Sequence, residues 1–271
     1  MPPIHLDSLG DPRVAEYRDV REPDMIRERG LFVAEGRLVV QRVIDERRYA
    51  VRSLLVSEAA RQALDSSIAR LDHTVPVYVC AADQFVEMTG FHVHRGCLAL
   101  VERPLPATID EVIGSERFVI VLEGVGNADN VGGVFRCAAA FDVGGVLLSP
   151  GCCDPLYRKA IRTSMAATLQ IPFARIDPWP GGLAAVRRLG FSIVALTPRS
   201  PSEPLDSFAR RGMCDRVALV IGTESIGLSE EVETSADYRV RIPISRAVDS
   251  LNLAVATGIA LSRLTRLDHL E

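Results

Sequence analysis

The chain lacks a metal-binding pattern. Its six cysteines (Cys80, Cys97, Cys137, Cys152, Cys153 and Cys214) form no Cys-x-x-Cys pair, and no histidine stands at ligand spacing. Reduced cysteines acting as small hydrophobes account for them, and no metal is expected. Nor is there an apolar run near the roughly 20 residues of a membrane span. The first residues, Met1-Pro2-Pro3-Ile4-His5-Leu6-Asp7, have neither the charged start nor the apolar core of a signal peptide, which predicts a cytoplasmic protein. Gly124-Val125-Gly126-Asn127-Ala128-Asp129 lacks the third glycine of Gly-x-Gly-x-x-Gly, which counts against a nucleotide-dependent oxidoreductase. No internal repeat and no low-complexity segment is present. Lysine is almost missing as well: Lys159 is the only one, so arginine carries the positive charge. Its planar fork suits phosphate and stacking contacts, although a biased genome leaves the same trace.

A net basic charge is also absent, the formal sum being −4. Distribution matters more than the total for a nucleic-acid partner. From Arg158 to Arg216 there are ten basic residues against four acidic ones, a local surplus in an acidic chain. With 271 residues, 48% of them hydrophobic and 24% charged, the chain can bury a proper core in one large or two ordinary domains.

A composition shift falls at Val101-Glu102-Arg103-Pro104-Leu105-Pro106-Ala107, where two prolines follow an apolar strand and read as a linker. It divides the chain into domains 1–105 and 106–271. In the first, strands are expected at 30–36, 51–56, 75–80 and 96–101, with helices at 37–47 and 58–69, after an arginine-rich segment from Arg13 to Arg29. Leu38, Val39, Val43 and Ile44 give the first helix its apolar spacing. In the second, strands are expected at 118–122, 145–148, 173–176, 191–196, 217–221 and 238–242. Helices are expected at 131–141, 155–168, 181–189 and 250–267. Strands without strict alternation, separated by helices, predict an α/β fold with a parallel sheet covered on both faces.

Three motifs then follow predicted strands, where an open α/β sheet places its ligands. The first is Asn127-Ala128-Asp129-Asn130-Val131-Gly132-Gly133-Val134-Phe135-Arg136. Asn130 is a candidate helix cap, and Arg136 lies a little under two turns further on. The second, Ile221-Gly222-Thr223-Glu224-Ser225-Ile226-Gly227-Leu228, reads as a tight loop between two glycines, with Glu224 inside it. The third is Ile242-Pro243-Ile244 with Asp249-Ser250-Leu251-Asn252, where Ser250 is expected to cap a buried apolar helix. Asn252, an amide in that first turn, needs partners. Taken singly, Arg136 also reads as a solvated helix arginine and Glu224 as an exposed loop carboxylate.

Together the motifs resemble the SpoU (TrmH-type) RNA 2′-O-ribose methyltransferases of the SPOUT class. The resemblance implies a parallel-sheet knotted (trefoil) methyltransferase domain behind a smaller N-terminal α/β substrate-binding domain. It implies S-adenosylmethionine as cofactor, with Gly222, Ile242, Leu251 and Asn252 holding it, and Arg136, Asn130, Glu224, Ser250 and Asn252 at the catalytic site. Asp129 and Ser225 stand where relatives often carry glycine. Asp154-Pro155-Leu156-Tyr157-Arg158-Lys159-Ala160-Ile161-Arg162 is similar to a segment of long family members. Its Arg158, Lys159 and Arg162 are RNA-phosphate candidates, or else a solvated helix face. Phe32-Val33-Ala34-Glu35-Gly36 and Gly96-Cys97-Leu98-Ala99-Leu100-Val101 resemble the ribosomal-protein-like domain of ribosomal RNA methylases, favouring ribosomal over transfer RNA. A homodimer is implied, with no membrane and no metal. The alternatives are a transfer RNA enzyme and an RNA-binding protein without turnover.

Overall fold

The computed structural model describes residues 2–6, 10–18, 22–81, 85, 96–212, 214–245 and 247–265. In chain order the first elements are β1 (Ile4–His5), α1 (Glu22–Glu28), β2 (Leu31–Glu35), α2 (Arg37–Glu46), β3 (Val51–Val56), α3 (Glu58–Ala63), α4 (Asp65–Ile68), β4 (Val77–Val79) and β5 (Cys97–Glu102). Then come α5 (Ile109–Ile113), β6 (Phe118–Leu122), α6 (Ala128–Ala140), β7 (Gly145–Leu148), α7 (Arg158–Thr163), β8 (Phe173–Arg175), α8 (Leu183–Arg188) and β9 (Ser192–Leu196). The last are β10 (Glu203–Pro204), α9 (Leu205–Arg211), β11 (Val217–Ile221), α10 (Glu230–Ser235), β12 (Tyr238–Arg241) and α11 (Leu253–Leu264). Two compact units result: Met1–Leu105 with Leu156–Leu169, and Pro106–Pro155 with Gln170–Glu271.

The first unit is a mixed five-stranded sheet in the order β1-β4-β3-β5-β2. Its core gathers Tyr17, Leu31, Val33, Leu55, Leu98 and Leu100. The Tyr17 hydroxyl lies 3.0 Å from the Ser53 carbonyl, to which it donates, and burial pushes its pKa well above the ordinary tyrosine value. Helix α2 buries Val39, Val40, Val43 and Ile44. Leu38, expected on that face, is instead 61% exposed, because the buried stripe turns toward Val40. The helix expected over 58–69 is two short ones, parted at Leu64 (φ −106°, ψ 9°). Part of the arginine-rich stretch, 19–21, lies outside the described residues.

Segment 156–169 is built into this first unit. Tyr49 donates to the Leu169 carbonyl at 3.1 Å, and Arg42 Nη1 to the Met165 carbonyl at 2.8 Å. The helix expected over 155–168 shortens to α7, followed by a left-handed turn at Met165 (φ 54°) and Ala166 (φ 69°) that stops it.

The second unit carries a wholly parallel seven-stranded sheet, β10-β12-β9-β11-β6-β7-β8. Its central strands read Phe-Val-Ile-Val-Leu (β6) and Val-Ala-Leu-Val-Ile (β11), paired in register from Val217↔Phe118 to Ile221↔Leu122. Continuous apolar runs of this kind belong to strands covered on both faces. Helix α5 begins at a capping box between Thr108 and Glu111. The closing helix begins at Leu253, and residues 266 and 267 of the range expected for it lie outside the described residues. It is not buried all round: Leu253, Thr257, Ala260 and Leu261 are buried, whereas Val255 is 51% exposed. Among the described residues no helix is long and apolar enough to cross a membrane, and no cluster of His, Cys, Asp and Glu could hold a metal ion.

Candidate active site

The site lies in the second unit, at the carboxyl ends of its parallel strands. Asn127, not Asn130, caps α6: its Oδ1 accepts from the N–H of Asp129 at 2.8 Å and of Asn130 at 3.4 Å. This leaves the Asn130 side chain for other partners. The same shift occurs at α11, where Asn252 rather than Ser250 is the cap, accepting from Ala254 at 3.1 Å and Val255 at 3.3 Å. Helix geometry explains both corrections, since the cap must sit just before the first helical residue, with its oxygen over the N–H groups two and three further on.

The amide nitrogen of Asn252 faces the other way. Its Nδ2 donates to Glu224 Oε1 at 2.6 Å and to Asn130 Oδ1 at 3.3 Å. Glu224 Oε1 also accepts the Leu253 N–H at 2.9 Å. One residue from each of the three motifs thus meets in a single hydrogen-bonded cluster. The Leu253 backbone bond, above all, holds the Glu224 carboxyl below its ordinary value; the Asn130 and Asn252 amides add to this and partial desolvation opposes it. A carboxylate lowered by neutral donors stays ionised at neutral pH and makes a weaker base. Its chemistry here is to accept and to orient.

Helices α6 and α11 bring these residues together by packing closely. A Cβ on Gly133 would lie 2.6 Å from the Ala254 Cβ, and Cys137 Sγ reaches the Ala254 carbonyl at 3.4 Å. Burial raises the Cys137 thiol above its usual pKa. Only a residue without a side chain fits at 133 at this separation.

Beside the cluster is a cavity of about 350 Å³. Its walls come from the ends of β9 (Leu196 to Arg199), β11 (Ile221 to Gly227) and β12 (Ile242, Ile244), and from Asp249 to Leu251. Gly222, Ile242, Ser250, Leu251 and Glu224 all line it. The glycine at 222 is obligatory, because a Cβ there would fall 2.2 Å from the Gly227 carbonyl oxygen. The loop is closed by Gly227 N–H donating to the Thr223 carbonyl at 2.9 Å and Ile226 N–H to Thr223 Oγ1 at 3.2 Å.

Other expected residues are placed differently. Arg136 is exposed on α6, and its side chain forms no hydrogen bond or ion pair among the described residues, so its guanidinium is available. Ser250 is exposed on the cavity rim. Arg158 and Arg162 belong to the first unit, where both turn to the buried carboxylate of Glu35, at 2.6 Å and 3.7 Å. Lys159, between them, is exposed.

Sequence reasoning missed several residues that shape the cavity. Glu123, at the end of β6, accepts from Trp179 Nε1 at 2.8 Å and from the Ser229 N–H at 2.9 Å, tying down the far end of the loop. Glu233 on α10 is buried and takes Thr197 Oγ1, Arg199 and Arg239. Nothing in Glu230-Glu231-Val232-Glu233 separates the buried glutamate from its exposed neighbours.

Residues 117–262 match the SpoU rRNA Methylase family. The chain is similar to an uncharacterised tRNA/rRNA methyltransferase of Mycobacterium tuberculosis, 37% identical over 96% of this chain and 90% of that protein. A protein of the same description from Synechocystis is 30% identical over 96% and 93%. Among solved structures, an AdoMet-bound rRNA methyltransferase of Sinorhizobium meliloti shares the fold at a TM-score of 0.81, with 23% identity and 98% of each chain covered. The SpoU methyltransferase AviRb of Streptomyces viridochromogenes in complex with AdoMet does so at 0.74, with 23% identity over 94% of this chain and 97% of that one. The fold of the chain is that of the SPOUT methyltransferases, and the chain belongs to the SpoU rRNA methylase family.

Proposed function

We propose that this chain is an S-adenosylmethionine-dependent RNA methyltransferase acting on a ribose 2′-hydroxyl, with ribosomal RNA favoured over transfer RNA. The observation that carries the reading is the Asn130–Asn252–Glu224 cluster beside the cavity. The cavity suits an adenosyl group: Leu196, Ile221, Ile242 and Leu251 supply apolar walls, and the Gly222–Gly227 loop supplies backbone polar groups at close range. Gly222, Ile242, Leu251 and Asn252 would hold the cofactor, which when bound supplies an electrophilic sulfonium methyl group.

The chain's own residues prepare the acceptor. Asn130 and Asn252, fixed by their bonds to Glu224 and to each other, orient the ribose. Arg136, with its guanidinium free, takes an RNA phosphate and stabilises the negative charge growing on the 2′-oxygen as its proton leaves. A guanidinium titrates above about pH 12, so stabilisation is its main part. Ser250, on the rim, helps to place the hydroxyl. Alignment of the acceptor supplies much of the rate.

The first unit is assigned to RNA recognition, with Lys159 and Arg162 on its surface and Arg158 braced by Glu35. The second is assigned a knotted carboxy-terminal segment, in keeping with Ile242, Ile244, Asp249 to Leu251 and the loop from Gly222 to Gly227 lining one cavity. A cytoplasmic homodimer completes the reading. In its support, Ile226, Val248 and Val255 are all more than half exposed around the site, and apolar surface grouped in this way is commonly covered by a partner.

The test is transfer of labelled methyl from S-adenosylmethionine to ribosomal and transfer RNA from cells lacking the protein. The expected product resists alkaline cleavage at one nucleotide and is lost with Arg136→Ala. Label on transfer RNA alone would reassign the substrate, and label on a base would overturn the ribose reading.

A further inference from the structure

The loop from Gly222 to Leu228 is gripped from behind by a side chain outside all three motifs. Arg199, three residues past the end of β9, reaches across with both terminal nitrogens. Its Nη1 donates to the Leu228 carbonyl at 2.8 Å and its Nη2 to the Ile226 carbonyl at 2.7 Å. Each of those carbonyls shares a rigid peptide plane with an N–H that is also engaged. The Gly227 N–H donates to the Thr223 carbonyl at 2.9 Å, and the Ser229 N–H to Glu123 Oε2 at 2.9 Å. Both planes are therefore pinned at both ends, and the pin on the carbonyl side is the same guanidinium.

Arg199 is itself held. Glu233 Oε1 accepts from Thr197 Oγ1 at 2.6 Å and from Arg199 Nη1 at 3.4 Å, while Oε2 accepts from Arg239 Nη2 at 2.8 Å. The Arg199 backbone N–H adds a bond to Thr197 Oγ1 at 3.1 Å. A buried carboxylate shared by two guanidiniums and a hydroxyl has little freedom to turn. It links the end of β9 and the strand β12 to the loop that follows β11, and all three continue into the walls of the cavity.

We infer that Arg199, seated on Glu233, is a positioning residue that fixes the peptide planes of the cofactor loop and so governs how tightly the cofactor is held. This rests on the reading of the cavity as the S-adenosylmethionine site. Without Arg199 the two carbonyls lose their common donor, and the loop must be ordered by the incoming ligand. Methyl transfer depends on Arg136, Asn130, Asn252 and Glu224, and Arg199 touches none of them. Glu224, although in this loop, is held separately by the Leu253 N–H and the Asn252 amide, so the rate at saturation changes less than cofactor binding.

The experiment measures S-adenosylmethionine binding by calorimetry for the full chain and for Arg199→Ala, Arg199→Lys, Glu233→Gln and Gly222→Ala. It also measures kcat and KM for the cofactor on total RNA. Arg199→Ala should weaken binding by about tenfold or more, with kcat within about threefold of the parent. Arg199→Lys, which keeps the charge and can still reach one carbonyl, should recover part of the loss, and Glu233→Gln should cost about threefold. Binding by Arg199→Ala within twofold of the parent, or a Lys variant no better than Ala, overturns the inference. Should Arg199→Ala fail to fold, Arg199→Lys and Glu233→Gln decide, and binding within twofold of the parent in either overturns the inference. Gly222→Ala separates the two readings. Binding lost there but kept in Arg199→Ala refutes the positioning role alone, whereas binding unchanged in Gly222→Ala refutes the cavity assignment and the positioning role with it.

Discussion

Glu35 and Glu224 each stand at or just past the end of a strand, one in each unit, and their surroundings are opposite. Glu35 is buried, and its partners include the guanidiniums of Arg158 and Arg162. Glu224 is exposed, and its partners are neutral: two amides and a backbone N–H. A buried carboxylate paired with charge is committed to holding its unit together, since removing either partner strands the other. An open carboxylate with neutral donors keeps its negative charge beside the cavity, where a ligand can meet it. The contrast separates a carboxylate that maintains structure from one that maintains a site.

The largest expected effect comes from the first. Glu35→Ala should cost the first unit about 3–5 kcal/mol, read as faster hydrogen exchange across β2 and α7. If Glu224→Ala cost as much, the contrast would fail. Next is Gly133→Ala, which should lower stability by about 1–3 kcal/mol through overpacking of α6 against α11 and weaken catalysis in step. Glu224→Gln should leave stability within about 1 kcal/mol. In single-turnover assays it should slow methyl transfer about 10- to 100-fold, as expected for loss of a fixed charge in an active site. Its pH signature follows from the lowered carboxyl. A depressed folded pKa gives stability that is full above the unfolded value of about 4.5 and fades as pH falls through the lower folded value. Acid melting curves of the parent and of Glu224→Gln should therefore converge below about pH 4.5, and a gap that stays constant to pH 2 would contradict the lowering. Smallest is Asn127→Ala, a lost helix cap, at about 1 kcal/mol by thermal melting.

The sheet of the second unit was largely legible, because strands buried on both faces announce themselves as continuous apolar runs such as 118–122 and 217–221. The two-residue strand Glu203–Pro204 carries no such signal, since its place depends on pairing with Tyr238–Arg241 far along the chain. The motif residues could be read, but their division of labour could not. Asn127 and Asn130 are both plausible caps, and so are Ser250 and Asn252; only the start of the helix decides between them. Glu233 and Arg199 were invisible for a different reason. Glu233 sits in an acidic run that reads as surface, and its burial is decided by Thr197, far along the chain, and by Arg239 on β12. Arg199 sits in a proline-bracketed loop, where nothing announces the carbonyls it meets.

The excursion of residues 156–169 into the first unit also bears on how the molecule is made. The partners of Glu35 lie in that excursion, and so do the carbonyls that Arg42 and Tyr49 engage. A nascent chain that has emerged as far as Leu105 holds every strand of the first sheet but not the helix that neutralises its buried carboxylate. That unit is complete only once residue 169 is out, by which time β6, α6 and β7 have also emerged. Synthesis therefore reaches these elements of the second unit before the last segment of the first is available.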